Sequence, residues 1–167
     1  NNIDININLD NNVPVARKLQ TNLKVIEEAL SYSPDLVIRM LKSPDSEFEA
    51  AVMYIDGLSD RKVIQDNIIK PLLKEFCESK SREKSNKSDI VSNIGNNIIN
   101  NIVTGKKSKK SIEVRIRNAV VTVSSLKEAS TLNECIYEIL AGNTVLLIEN
   151  ADKALIIKTP GWRTRAP

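Results

Sequence analysis

Two pairs of short apolar runs, each pair split by a brief polar connection, constrain this chain more than any other feature. Leu36 to Leu41, interrupted by Arg39, is followed by a turn containing Pro44 and Asp45 and then by a second run from Phe48 to Ile55. Thr144 to Glu149 and Ala154 to Thr159 flank the tight connection Asn150-Ala151-Asp152-Lys153. Runs of this length bounded by turn residues read as strands, and each pair reads as a β-hairpin. A stretch with helical spacing precedes each hairpin. Val15, Leu19, Leu23, Ile26 and Leu30 form one such face, ended by Ser31-Tyr32-Ser33-Pro34. Ile136, Ile139 and Leu140 form the other, opened by the capping-box pair Thr131 and Glu134 and closed by Gly142. In this alignment Leu36-Val37-Ile38 corresponds to Leu146-Leu147-Ile148, and Ala51 to Ile55 corresponds to Ala154 to Ile157. The order suggests a twofold repeat of one small α/β (mixed α+β) unit, with each short sheet packed by helices.

The remaining stretches fill in around these units. Asn1 to Asn12 alternates Ile3, Ile5, Ile7 and Leu9 with polar residues, the period of an edge strand or a sticky tail. After Asp56-Gly57, either Ser59 or Asp60 caps a helix through Val63, Ile64 and Ile68, which Pro71 kinks or restarts. Residues 78–89 are Ser, Lys, Asn, Glu and their like with no large apolar side chain, so they bury too little surface to offset their ordering entropy. A linker there divides the chain into lobes over 1–77 and 90–167. The second lobe opens with a helix from about Asp89 to Val103 and a basic loop, Lys106 to Lys110. Ile112 to Val123 alternates in two phases, which suggests a strand with a bulge or break.

The sequence contains no histidine, which removes triads, His-ligated zinc and imidazole acid–base chemistry. Cys77 and Cys135 lie far apart on helical segments with no CxxC, as expected of unpaired thiols in a reducing compartment. The Asp4-Asn6-Asn8-Asp10 ladder lacks the glycine and the closing Glu of a calcium loop, so no metal site is expected. Nothing matches a P-loop, a GxSxG elbow or a dinucleotide fingerprint, and neither an enzyme nor a cofactor is expected. A net charge of +3 is weak support for nucleic-acid binding, because that function gathers Lys and Arg on one face. No apolar run reaches the roughly 18 residues of a membrane-spanning helix.

Five segments in fixed order carry a family resemblance. They are Asp35-Leu36-Val37-Ile38-Arg39, Ala51-Val52-Met53-Tyr54-Ile55-Asp56-Gly57-Leu58, Ile69-Lys70-Pro71-Leu72, Ile139 to Ile148 with its central Gly142-Asn143-Thr144, and Gly161-Trp162-Arg163-Thr164-Arg165. Their combination resembles the N-terminal domain of the A subunits of spore germinant receptors, the GerA family. The resemblance implies a non-catalytic sensing or signal-relay domain that couples nutrient detection to germination, or else an assembly domain that never contacts the nutrient. It implies B and C subunits, the A-subunit membrane domain and other A subunits as partners, and an amino acid, sugar or nucleoside as nutrient. It also implies the inner spore membrane as the location of the full-length protein, with this domain facing the cytosol. Arg165-Ala166-Pro167 stands where family members continue toward that membrane domain.

Each candidate residue has a functional and a structural reading. Asp56 with Gly57 either orients a ligand amine or forms a turn and caps the next helix. Arg39, within an apolar strand, either points to solvent on the open face, pairs with an acid such as Asp35 or Asp56, or meets a ligand. The Asn22 amide either reads a polar ligand or bonds a neighbouring loop. Gly57, Gly142, Gly161 and Trp162 are structural candidates, with Trp162 as an anchor where the chain leaves the domain. The lysine loop either meets anionic head groups or is simply solvated.

Overall fold

The computed structural model describes residues 12–44, 48–77, 109–121 and 125–161. Helix α1 spans Leu19–Ala29 and leads into strands β1, Leu36–Lys42, and β2, Glu49–Ile55. Helix α2 starts as Arg61–Ile64, passes through a π-helical turn over Gln65–Ile69, and resumes as α-helix over 70–77. Helix α3 is Lys109–Val121, strand β3 is Leu126–Ala129 and helix α4 is Leu132–Leu140. Strands β4, Thr144–Ile148, and β5, Ala154–Ile157, complete the order.

Both expected hairpins form, with Leu36 opposite Ile55 and Val145 opposite Ile156. They do not, however, make two short sheets. β2 pairs antiparallel with β4, Val52 opposite Leu146, so that all five strands join in one sheet of order β1-β2-β4-β5-β3. The reason is burial. Every β4 residue is buried, as are all β2 residues except Glu49, and strands apolar on both faces cannot be left as edges facing water. The mixed α+β class stands, and helix–strand–strand order recurs in the two halves. The linker expected at 78–89 and the helix expected from Asp89 to Val103 lie outside the described residues.

Alternation along the central strands divides the core in two. Val52, Tyr54, Leu146, Ile148, Leu155 and Ile157 pack with Ile64, Ile68, Leu72 and Phe76 of α2 and with Ile116 and Val120 of α3. On the opposite face Ala51, Met53, Val145, Leu147 and Ile156 pack with Leu19, Leu23 and Ile26 of α1 and with Leu132, Cys135 and Ile139 of α4. The sheet is thus the middle of three layers, and each fully buried Leu or Ile contributes roughly 2 kcal/mol of burial.

The stretch read as a bulged strand from Ile112 to Val123 is instead mostly α3. Ile116 and Val120 are four apart and both buried, whereas Val114 is exposed, which is helical rather than alternating periodicity. Lys109 and Lys110, expected in the basic loop, belong to the first turn of that helix; residues 106–108 lie outside the described ones. Strand β3 carries only two apolar side chains and had no legible pattern. At α2 the cap is Asp60, whose carboxylate accepts from the Lys62 and Val63 amides at 2.9 and 3.1 Å. Pro71 has no N–H and its ring crowds the preceding turn, and the helix widens just before it: the Lys70 amide reaches back to Gln65 O. Among the described residues no helix is long and apolar enough to cross a membrane.

Candidate functional site

The start of β1, the end of β2, the start of β4 and the end of β5 share one end of the sheet, as the pairs Leu36 with Ile55 and Thr144 with Ile157 show. There the turn after β2, the end of α4 and the segment after β5 are tied together by polar groups in an otherwise apolar setting. α4 ends with Gly142 at φ +84°, with the Gly142 amide donating to Ile139 O and the Asn143 amide to Glu138 O, at 3.1 and 3.0 Å. This Schellman arrangement frees the Gly142 carbonyl to turn inward.

That carbonyl accepts from the Ser59 hydroxyl at 2.8 Å and from the Thr159 hydroxyl at 3.2 Å. A hydroxyl has one proton, so Thr159, donating to Gly142, accepts from Thr144 Oγ1 at 2.7 Å. Ser59, Thr144 and Thr159 are all buried. Backbone bonds flank the hydroxyls: the Asp60 amide donates to Thr159 O at 2.7 Å, and the Gly161 amide to Leu58 O at 2.8 Å. A Cβ built on Gly142 would lie 2.8 Å from Leu58 O, and one on Gly161 would lie 3.3 Å from the Ser59 carbonyl carbon. Both glycines therefore let backbone approach backbone. The cluster joins the first half of the chain to the last residues of the second.

The three residues proposed from sequence as ligand contacts are not brought together, and each has a partner within the chain. Asn22 is buried in α1, where its amide bonds Ala16 O at 2.7 Å and accepts from the Ala16 amide at 2.8 Å, holding the segment before the helix. Arg39 is exposed on edge strand β1 and donates to Gln65 Oε1 of α2 at 3.2 Å, rather than to Asp35 or Asp56. Asp56 receives the Arg61 guanidinium in a two-point pair, through Nε at 2.8 Å and through the second nitrogen. The hydrogen bond from Arg61 holds the Asp56 carboxyl below its ordinary range. Gly57 sits in the turn at φ +84°. Trp162 lies outside the described residues. The sequence offers Ser59 only as a possible helix cap and Thr144 and Thr159 only as strand ends; that their hydroxyls meet at the Gly142 carbonyl has no local pattern to announce it. Among the described residues no group of three or more acidic or sulfur side chains could hold a metal ion.

Comparison with known proteins gives this arrangement a context. Residues 24–167 match the family model described as Bacillus/Clostridium GerA spore germination protein. The chain is 26% identical over 144 residues to spore germination protein GerLA of Bacillus cereus, covering 86% of this chain and 23% of that protein. It is 35% identical over 57 residues to spore germination protein B1 of Bacillus subtilis (strain 168), covering 34% of this chain and 12% of that protein. A crystal structure of the N-terminal domain of the A subunit of the Bacillus megaterium spore germinant receptor GerK3 matches with a TM-score of 0.61 at 22% identity. That match covers 90% of this chain and 49% of the solved one. The chain thus spans less than a quarter of the length of these two curated relatives.

Proposed function

The chain belongs to the GerA family of spore germination proteins, and we propose that it is the signal-relay part of the N-terminal domain of a germinant receptor A subunit. In this reading the domain faces the cytosol at the inner spore membrane, beside B and C subunits. It passes a change of state to the polypeptide beyond Gly161 without contacting the nutrient. The observation that carries the reading is the buried cluster on the Gly142 carbonyl. It ties the turn after β2, the end of α4 and the outgoing segment into one unit through Ser59, Thr144 and Thr159. A displacement of either half would reach the exit through these bonds.

Direct nutrient contact has less support. A ligand held by Asn22, Arg39 or Asp56 would have to displace an existing partner at each, and Asn22 is closed off from solvent. The effector would then act from another subunit, and a coupling of about 1–3 kcal/mol is sufficient for such control.

The test is to place Ser59→Ala and Thr159→Val in the full-length receptor and follow nutrient-triggered germination of spores, together with subunit abundance and co-purification with B and C. Relay predicts a normal amount of assembled receptor with a blunted response. Loss of assembly in proportion to loss of response would instead establish the assembly-domain role. A normal response from both variants would refute the relay.

A further inference from the structure

The two edges of the sheet are not alike. At one edge β3 has four residues, and its Lys127 and Glu128 are held in ion pairs, Lys127 with Glu134 and Glu138, Glu128 with Arg117 and Lys153. Charged side chains on a short edge discourage further pairing. At the other edge β1 has seven residues with neither a proline nor a break in register, and the ladder shows which way its backbone points. The Ser43 amide donates to Phe48 O at 2.9 Å and the Asp56 amide to Asp35 O at 2.8 Å, so the odd-numbered residues on the β1 side direct their amides and carbonyls at β2. The Glu149 amide on Glu49 O, at 2.9 Å, shows the complementary phase, with the odd-numbered residues of β2 turned to β4. The amides and carbonyls of Ile38, Met40 and Lys42 therefore point outward, and among the described residues none of them is hydrogen-bonded.

Side chains along β1 follow the same alternation. Leu36 and Ile38 pack, only partly buried, on the α1 side of the core, and Met40, next on that face, is 43% exposed. Val37 and Leu41 belong to the α2 side, with the exposed Arg39 between them. Arg39 donates to the neutral side chain of Gln65, and Lys42 stands opposite Glu49 without forming an ion pair. Neither has an acid partner among the described residues, whereas Arg61, Lys62 and Lys70 of α2 each have one. We propose that β1 takes up an added strand from another polypeptide, an extended segment that alternates apolar with acidic residues. Its backbone completes the outward bonds of Ile38, Met40 and Lys42. Its apolar side chains extend the row formed by Leu36, Ile38 and Met40, and its carboxylates meet Arg39 on the opposite face. A second copy of β1 fits less well, because it brings another Arg39 and Lys42 and no acid. None of these groups belongs to the Gly142 cluster, so the inference stands apart from the relay reading.

The probe is a short capped peptide alternating valine with glutamate, added to the 167-residue chain while amide hydrogen exchange is followed residue by residue. At saturation the amides of Ile38, Met40 and Lys42 should exchange severalfold more slowly, and those of Val37, Arg39 and Leu41, already bonded to β2, should change much less. The same peptide with lysine in place of glutamate should have little effect. Met40→Pro removes one outward donor without touching the β2 ladder, and should abolish the protection with unchanged far-ultraviolet circular dichroism. Arg39→Glu, at an exposed position, should move the preference to the lysine peptide. Wild-type protein that gains no protection from the glutamate peptide would overturn the proposal, whether or not either variant folds. Equal protection by the two peptides would overturn the acidic partner. Protection of the same three amides that rises with protein concentration in the absence of peptide would overturn it in favour of a second copy.

Discussion

Replacing Gly142 by alanine isolates the close approach that holds the exit cluster together. Two costs add at this position. At φ +84° an L side chain occupies the left-handed region, which costs about 1–2 kcal/mol. The new methyl would also stand 2.8 Å from Leu58 O, a backbone atom that cannot rotate aside. Moving it lengthens the 2.8 Å bond from the Gly161 amide and disturbs the Ser59 and Thr159 hydroxyls on the Gly142 carbonyl, at about 1 kcal/mol for each bond lost. Gly142→Ala should therefore lower stability by about 2–4 kcal/mol. Gly57 provides the internal reference. It has the same φ, but a Cβ placed there would meet nothing within 4 Å, so Gly57→Ala should cost only about 1–2 kcal/mol. Urea unfolding of both variants beside the parent measures the difference. Equal losses, or a smaller loss at Gly142, would show that the approach to Leu58 carries no energy and would refute the argument.

Two further outcomes follow from the ionisable groups. Burial pushes the Cys135 thiol up to about 12, whereas Cys77 is exposed; a thiol reagent should label one cysteine in the native protein and two after denaturation. Asp66 of α2 accepts from Lys62 at 2.8 Å and from Lys70 at 2.6 Å, and these bonds lower its pKa from 3.8 to about 2. Its small contribution to stability should be fully present above pH 4 and vanish as the pH falls to about 2, because the folded state binds the proton less readily than the unfolded chain. Asp66→Asn should flatten that part of a plot of unfolding free energy against pH, and carboxyl chemical shifts should place the Asp66 midpoint near 2.

The hairpins were legible because both signals needed, an apolar run and a turn, lie within a few residues of each other. Helix ends were legible for the same reason, Thr131 and Gly142 being local punctuation. The joining of β2 to β4 was not, because its partners lie far apart in sequence and no local pattern distinguishes a strand buried in its own small sheet from one buried at a shared seam. In α3, β-branched residues imitate alternation over a short window, and only the packing of Ile116 and Val120 reveals the true period. Of the candidate site, Gly57, Gly142 and Gly161 could be singled out as backbone positions. The hydroxyls that Gly142 gathers could not, since nothing in the sequence says that Ser59 and Thr159 meet it.

The seam between β2 and β4 also bears on the order in which the polypeptide is made. A chain growing from its N-terminus presents β1 and β2 long before β4, and a two-stranded hairpin alone is marginal in water. Until Thr144 to Ile148 emerge, β2 has an unpaired hydrogen-bonding edge with apolar residues on both faces, the kind of edge that recruits other chains. The finished domain hides this hazard completely. The nascent one carries it through the synthesis of every residue between Ile55 and Thr144, so the vulnerable interval in the life of this protein is set by the length of that insertion and not by the stability of the fold it interrupts.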